Sequence, residues 1–310
     1  MALSSSQAPL LDGLLIIDKP VGFTSFDVVA KVRGMLKTRK VGHAGTLDPM
    51  ATGVLPVFVG RGTKCCNLLP NQDKRYTAAF RLGTVTDTLD ITGTVLQENT
   101  VNVTMDQVQQ AIEQFTGDIM QVPPMYSAIQ IGGKRLYDLA RQGIEVERPA
   151  RPVTIYHCRL VQGNQGAGEY VIDVACSKGT YIRTLCHDIG QALGCGAVMT
   201  SLRRTEAAGF TEGEAISLEE ADRLAAAREL PGRILPVERV FAPLPALKLN
   251  QRQCFLYCNG VPLELSRISG AEAMEGDVRV LDVQGRFLGV STADRAQGQL
   301  KLRQLFALEQ

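Results

Sequence analysis

The N-terminal part of the chain begins with a short apolar run followed by a Pro/Gly turn. Residues 14–17 (LLII) have strand length, and the segment KPVG follows them. Thr24 or Ser25 then stands where a helix N-cap is expected, and Val28 and Val32 recur at helical spacing. This stretch therefore predicts a strand, a turn and a capped amphipathic helix.

Three further apolar segments have the length and composition of β-strands: 53–60, 76–83 and 92–98. The last two flank a polar loop, TVTDTLDI. Thr104 and Gln107 then have the spacing of a capping box. The pattern predicts strands, a polar loop and a helix that begins at Thr104.

Residues 169–194 predict a strand, a Ser/Gly turn and a helix with an apolar stripe through Leu185 and Ile189. Ser217 and Glu220 predict another helix start, and we expect this helix to run to about Leu230. Strands and helices do not alternate regularly over the first 245 residues. We therefore predict an α+β fold with a mixed, largely antiparallel sheet.

A proline-rich segment separates the large domain from a smaller one. Its four prolines predict irregular backbone and a boundary near residue 247. Beyond it, DVRVLDVQGRFLGVSTA alternates apolar and polar residues around a Gln-Gly turn, which predicts a hairpin. We expect one domain over 1–246, with a disordered tail over 1–12, and a small β domain over 247–310.

Composition indicates an ordinary globular protein. Of 310 residues, 45% are hydrophobic and 21% are charged, and no apolar run approaches the length of a membrane span. The N-terminus lacks the basic region of a secretory signal, so we predict a cytoplasmic location. Eight cysteines and three histidines form no zinc-binding spacing, which favours reduced thiols and no metal or cofactor.

The segment VGHAGTLDPMATGVLPVFVG, residues 41–60, concentrates glycines and prolines around His43 and Asp48. It contains neither a phosphate-binding loop motif nor a serine-hydrolase motif, and no second carboxylate accompanies Asp48 as in glycosidases. An Asp before a Pro is often only a turn former, and His43 could equally be an ordinary loop histidine. From the residues alone, Asp48 acts without a second carboxylate or it has no catalytic role.

GHAGTLDPMATGVLP resembles the signature of the TruB family of pseudouridine synthases. Six other blocks resemble that family in order and spacing: DKPVGFTS, DKRY, RLGTVTDTLDITG, PPMYSAIQIGGKRLYDLARQG, CSKGTYIRTL and LRRTEAAGF. The resemblance covers essentially the full chain. The last 60 residues match more loosely and resemble the PUA-like RNA-binding β domain of such enzymes.

The resemblance implies isomerisation of uridine 55 in the T-arm of tRNA to pseudouridine, after the base is flipped out, without a cofactor. It implies that Asp48 is the nucleophile and Arg183 its charge partner. Tyr76 would stack on the flipped uracil and serve in proton removal from C5. The other residues with implied roles are His43, which would fill the vacated space, Tyr181 and Leu202 in the pocket wall, and Lys19 and Asp90, which would support the loop.

The formal net charge is only +1, but basic residues cluster at 31–40 and at Arg203 and Arg204. With the resemblance, these clusters become candidates for tRNA phosphate contacts. We expect a monomer that needs no protein partner. Two alternatives stay open: a guide-RNA-dependent, dyskerin-type synthase, and a non-catalytic tRNA-binding or tRNA-folding factor.

Overall fold

A computed structural model describes residues 11–127 and 129–307. The helices are α1 (Ser25–Leu36), α2 (Met105–Glu113), α3 (Leu136–Ala140), α4 (Ile182–Ala192), α5 (Leu218–Ala226) and α6 (Gln251–Cys258). The strands are β1 (Gly13–Lys19), β2 (Val41–His43), β3 (Thr52–Val59), β4 (Lys74–Leu82), β5 (Thr84–Thr86), β6 (Val95–Glu98), β7 (Gly117–Gln121), β8 (Gln130–Ile131), β9 (Lys134–Arg135), β10 (Arg151–Asn164), β11 (Glu169–Cys176), β12 (Ala197–Ala207), β13 (Phe210–Thr211), β14 (Ile216–Ser217), β15 (Ala246–Lys248), β16 (Leu263–Glu264), β17 (Gly276–Leu281), β18 (Phe287–Asp294) and β19 (Gln299–Leu305).

One ten-stranded sheet organises the larger part of the protein. Its main order is β14-β1-β3-β12-β4-β11-β10-β7, with β2 paired to β3 and β13 to β12. The pairs β1–β14 and β3–β12 are parallel, whereas the others in this sheet are antiparallel. The predicted α+β class, with a mixed and largely antiparallel sheet, is confirmed.

Alternating burial on the strands determines where the helices pack. In β4, Ala78 and Phe80 are fully buried and face the same cluster as α2 and α4, while Arg75 and Arg81 on the other face are exposed. At the other end of the sheet, α1 and α5 pack against β1 and β3. The sheet thus places the start of α4 beside the loop between β2 and β3.

The helix starts follow the predicted capping signals. Thr24 caps α1 and forms a capping box with Asp27, and Thr104 caps α2 with Gln107. The predicted end of α5 at about Leu230 is wrong, because the helix stops at Ala226. Arg228 has a φ of +63°, a left-handed conformation that ends helical hydrogen bonding.

The proline-rich segment is more regular than predicted. It contains two 3₁₀ turns, Leu230–Arg233 and Val237–Phe241, and its last residues begin β15, which pairs in parallel with β17. Residues 1–10 of the expected tail lie outside the described residues. Asp12, within that tail, forms an ion pair with Arg61 at 2.8 Å.

The second sheet has five strands in the order β15-β17-β18-β19-β16 and includes the predicted hairpin, β17 and β18. Three stacked or tilted rings join it to the larger part of the protein. The centroids of Phe241, Phe287 and Phe306 lie 5.7 Å from one another. No helix within the described residues is long and apolar enough to cross a membrane.

Candidate active site

Asp48 lies in the loop between β2 and β3, and three hydrogen bonds of the loop backbone fix this loop. The Gly22 N–H donates to the Pro49 carbonyl at 2.8 Å, and the Ala51 N–H donates to the Asp48 carbonyl at 3.0 Å. The Leu47 N–H donates to the Ser25 hydroxyl at 2.9 Å, at the start of α1. The carboxylate therefore projects from a loop whose backbone is tied to the first strand–helix connection.

The partner of the Asp48 carboxylate is the Arg183 guanidinium in the first turn of α4. The Nη2–Oδ2 distance is 3.1 Å, and the two side chains are 6% exposed for Arg183 and 39% for Asp48. Arg183 also donates to the carbonyls of Tyr126 at 2.8 Å and Thr88 at 3.1 Å. The arginine is thus fixed inside the protein, while its carboxylate partner remains accessible from outside.

A second carboxylate, Asp90, approaches the same guanidinium, with an Nη1–Oδ2 distance of 3.4 Å. Its other oxygen accepts hydrogen bonds from the hydroxyls of Thr88 at 2.9 Å and Thr92 at 2.6 Å. Because Asp90 is itself nearly fully buried, it orients Arg183 from the protein side. Asp48 is the one of the two carboxylates that a substrate can reach.

Lys19, at the end of β1, is fully buried beneath the Asp48 loop. Its ammonium donates to the carbonyls of Phe23 at 2.6 Å, Pro20 at 3.0 Å and Pro49 at 3.4 Å. Burial lowers the pKa of Lys19 from its ordinary value of 10.5 to about 8, and the negative charge of Asp48 opposes this shift. Lys19 therefore connects three carbonyls next to the site, and its side chain does not line the site.

A cavity of about 580 Å³ opens beside Asp48, within the size range of ligand sites. Its lining includes the expected residues Asp48, Asp90 and Arg183. Thr88, Tyr126, Tyr137 and Arg141 also line it, although the sequence analysis assigned them no role. Their segments, 81–93 and 123–143, were part of the resemblance, but nothing in their spacing singled these side chains out.

Tyr76 and Leu202 lie on the adjacent strands β4 and β12. They are 6% and 7% exposed and pack in one cluster with Leu47, the neighbour of Asp48. Burial raises the pKa of Tyr76 to about 12, and the Arg204 cation opposes that shift. The phenol is therefore protonated at neutral pH, and neither residue is part of the cavity lining.

Tyr181 and His43 flank the site without lining the cavity. Tyr181 is the N-cap residue of α4, two positions before Arg183, and its N–H donates to the Gln121 side chain at 2.7 Å. The His43 ring makes an edge contact with Phe26 at 5.4 Å between centroids. Burial, and secondarily the nearby Arg204 cation, lower the pKa of His43, so its imidazole is neutral.

Two family models cover most of this chain. "TruB family pseudouridylate synthase (N terminal domain)" matches residues 33–182, and "tRNA pseudouridylate synthase B C-terminal domain" matches residues 183–242. The chain belongs to the TruB family. The protein is therefore an RNA isomerase of the pseudouridine synthase type, and the Asp48–Arg183 pair is a feature of a TruB-family fold.

Relatives of this TruB-family chain match it over most of their lengths. A "tRNA pseudouridine synthase B" of Haemophilus influenzae is 42% identical over 90% of this chain and 89% of its own. Proteins of the same name from Saccharophagus degradans and Clostridium perfringens are 44% and 43% identical, over 91% and 92% of this chain and 91% and 96% of their own.

Solved structures share the architecture of this family member. A Cbf5-Nop10-Gar1 complex contains a chain with a TM-score of 0.75 and 25% identity, covering 96% of this chain and 86% of its own. An H/ACA RNP bound to a substrate RNA containing 2′-deoxyuridine gives a TM-score of 0.73 at 23% identity, with 96% and 86% coverage, which shows the fold alone.

In this TruB-family protein, one predicted phosphate contact is wrong. Arg204 is fully buried and donates to backbone carbonyls, so it cannot reach a phosphate. Arg203 faces the other side of β12 and pairs with Asp18 at 2.8 Å and with Glu212. The basic residues of segment 31–40, in contrast, are exposed, and the only ion pair among them in the described part of the chain is a 3.6 Å contact from Lys31.

Proposed function

We propose that this protein is a tRNA pseudouridine synthase that converts uridine 55 of the T-arm to pseudouridine in the cytoplasm, with Asp48 as the catalytic nucleophile. The observation that carries the proposal is an accessible carboxylate held 3.1 Å from a buried guanidinium at the wall of a cavity. The names of the relatives, "tRNA pseudouridine synthase B", support the choice of tRNA.

A single carboxylate suffices for this isomerisation. The N1–C1′ bond of uridine breaks, the uracil turns, and C5 bonds to C1′. The proton then leaves C5 and N1 takes up a proton, so the product is an isomer of the uridine. The same uracil is leaving group and incoming group, so no water has to be activated and no second carboxylate is needed. Arg183 orients Asp48, because its planar guanidinium can hold a carboxylate in one orientation.

The uridine has to leave the RNA stack before reaction, at a cost of a few kcal/mol. In this proposal Tyr76 stacks on the flipped uracil, Tyr181 and Leu202 form the pocket wall, and His43 fills the vacated space. His43 suits that place because a neutral imidazole can stack among bases. Since the Tyr76 phenol is protonated at neutral pH, it can accept the C5 proton only after losing its own.

Lys19 and Asp90 act behind this site in the proposal. Asp90 holds Arg183 from the side opposite to Asp48, and Lys19 ties the Pro49 carbonyl to the end of β1. Exposed basic residues of segment 31–40 supply phosphate contacts, which makes RNA affinity fall with added salt.

We further propose that the protein acts as a monomer without a guide RNA or an obligate protein partner. The structural similarity to a chain solved with Nop10 and Gar1 supports a specific alternative, in which guide RNA and partners are required. One assay distinguishes the two.

The assay uses purified protein, an unmodified T-arm stem-loop with C5-tritiated uridine, and no added guide. We expect wild-type protein to release tritium and Asp48→Asn to bind the RNA normally while losing more than about 1000-fold in rate. Asp222→Asn is the matched control, because Asp222 is an exposed carboxylate whose contact is a 3.6 Å ion pair with Lys31 on α1.

Release by Asp48→Asn at the wild-type rate would refute the assignment of Asp48. No release by wild-type protein until a guide RNA and partner proteins are added would favour the dyskerin-type alternative. Tight binding without any release under either condition would contradict the T-arm uridine as the target. A stem-loop with cytidine in place of the target uridine checks the position.

A further inference from the structure

Arg204 is a buried cation without a carboxylate partner among residues 11–127 and 129–307. Its side chain is fully buried, yet it forms no ion pair there. The guanidinium instead donates to three backbone carbonyls: Val54 at 2.7 Å, Gly45 at 3.0 Å and Thr46 at 3.5 Å. Burying a charge without a counter-charge is costly, and an apolar side chain would fill the same space more cheaply.

The carbonyls that Arg204 contacts are at the two ends of the Asp48 loop. Gly45 and Thr46 lie just before Asp48, and Val54 lies at the start of β3. The same guanidinium lies against the Tyr76 hydroxyl, where the cation opposes the effect of burial on the phenol. The β12–β4 register also places Arg204 opposite Tyr76.

The backbone of Arg204 also contacts the loop, in addition to its side chain. Gly53 pairs with Arg204 in the parallel β3–β12 ladder and has a φ of +103°. A Cβ at Gly53 would lie 2.2 Å from the Arg204 carbonyl oxygen, so only glycine permits this approach. The loop that carries Asp48 is therefore anchored to one residue of β12 at both of its ends.

We propose that Arg204 is a positioning residue for the reaction: it fixes the Asp48 loop and the Tyr76 ring relative to each other. The carboxylate and the aromatic ring then meet the flipped uracil in one geometry. This inference rests on the proposed function of Asp48 and Tyr76. Because Arg204 is buried, it acts through these groups and does not touch the RNA.

The test compares Arg204→Gln and Arg204→Lys with Arg239→Gln, because Arg239 is an ion-paired arginine of the 3₁₀ turn Val237–Phe241 and contacts Glu214 at 2.5 Å. For each variant we would measure the single-turnover rate of tritium release at saturating stem-loop, the Kd for the RNA, and the Tm. We expect Arg204→Gln to lose about 100-fold in rate, the cost of a small misplacement of reacting groups, with an unchanged Kd.

Arg204→Lys keeps the charge but not the planar guanidinium that contacts three carbonyls. We therefore expect its rate to lie between those of Arg204→Gln and the wild type. Arg239→Gln loses its ion pair with Glu214, and we expect its rate per folded molecule to stay at the wild-type value. If Arg204→Gln does not fold, Arg204→Lys carries the comparison, and a wild-type rate in that variant would overturn the proposal.

A double-mutant cycle with Tyr76→Phe separates positioning from general destabilisation. If Arg204 acts on Tyr76 as well as on the loop, Arg204→Lys costs less rate in the Tyr76→Phe background than in the wild type. Strictly additive losses, or a lower Tm with an unchanged rate per folded molecule, would overturn the inference. Activity of the wild-type protein in the same assay shows separately whether the proposed function holds.

Discussion

At the scale of single residues, the site depends on buried cations that bind backbone oxygens. Lys19 and Arg204 together contact carbonyls on both sides of Asp48, and Arg183 contacts the carboxylate itself. Resemblance pointed to Lys19 and Arg183 from their motifs. It did not reveal that Arg204 is internal, because adjacent residues of a strand face opposite sides and the sequence does not say which arginine faces inward.

We expect Lys19 to give the proposed reaction an alkaline limit. Because burial lowers its pKa to about 8, the ammonium loses its proton as the pH rises through that value. The neutral amine has one donor fewer for its three carbonyls, so we expect the rate of tritium release to fall above about pH 8. Rates of tritium release measured from about pH 7 to pH 9.5 for wild type and Lys19→Met check this.

The Met variant has no proton to lose, so its rate, although lower, should show no decline in this window. The same pKa shift of Lys19 affects stability in the direction opposite to its effect on the rate. Between a pKa of about 8 in the folded protein and 10.5 in the unfolded chain, the unfolded chain binds more protons. The contribution of Lys19 to the free energy of unfolding therefore rises with pH across that window. An equal alkaline decline in both proteins would contradict the role of Lys19.

At the scale of elements, helix starts were predictable and the two longest strands were not. Caps at Thr24, Thr104 and Ser217 are local signals and all three begin helices. Strands β10 and β12 escaped prediction, because register shifts interrupt both of them. Each shift moves the following side chains to the other face, so the alternation that indicates a strand is lost.

The capping box of α2 gives a prediction at this scale. Thr104→Ala removes the acceptor for the Gln107 N–H, and we expect the free energy of unfolding to fall by about 1 kcal/mol. Urea denaturation of wild type, Thr104→Ala and Thr104→Ser measures it. The serine variant keeps the hydroxyl and should match the wild type, while equal losses in both variants would point to the lost methyl group instead.

At the scale of the whole molecule, the two sheets meet through the rings of Phe241, Phe287 and Phe306. The sequence predicted two regions with a boundary near residue 247. It could not predict this contact, since the three rings are far apart in the chain and belong to no local pattern. The rings share a cluster with Phe58 and Phe210 of the larger part, so the C-terminal sheet is packed against it.

Removing one ring should weaken this contact. We expect Phe287→Ala to lower the free energy of unfolding by about 2–4 kcal/mol, because a packed aromatic ring is lost. Calorimetry should then show the C-terminal sheet melting apart from the rest. Phe255→Ala is the control, since Phe255 is 70% exposed in the same region, and a loss as large as that of Phe287→Ala would contradict this assignment.

The hydrogen bond from Arg204 to Gly45 spans 159 positions of the chain. During synthesis, the segment that carries Asp48 leaves the ribosome long before the strand that holds it exists. The parallel pairing of β3 with β12 also forms late, because contacts between distant parts of the chain form slowly. A nascent chain thus carries an Asp48 loop without its anchor, and this loop can take its folded geometry only after translation has passed the second arginine of LRRT.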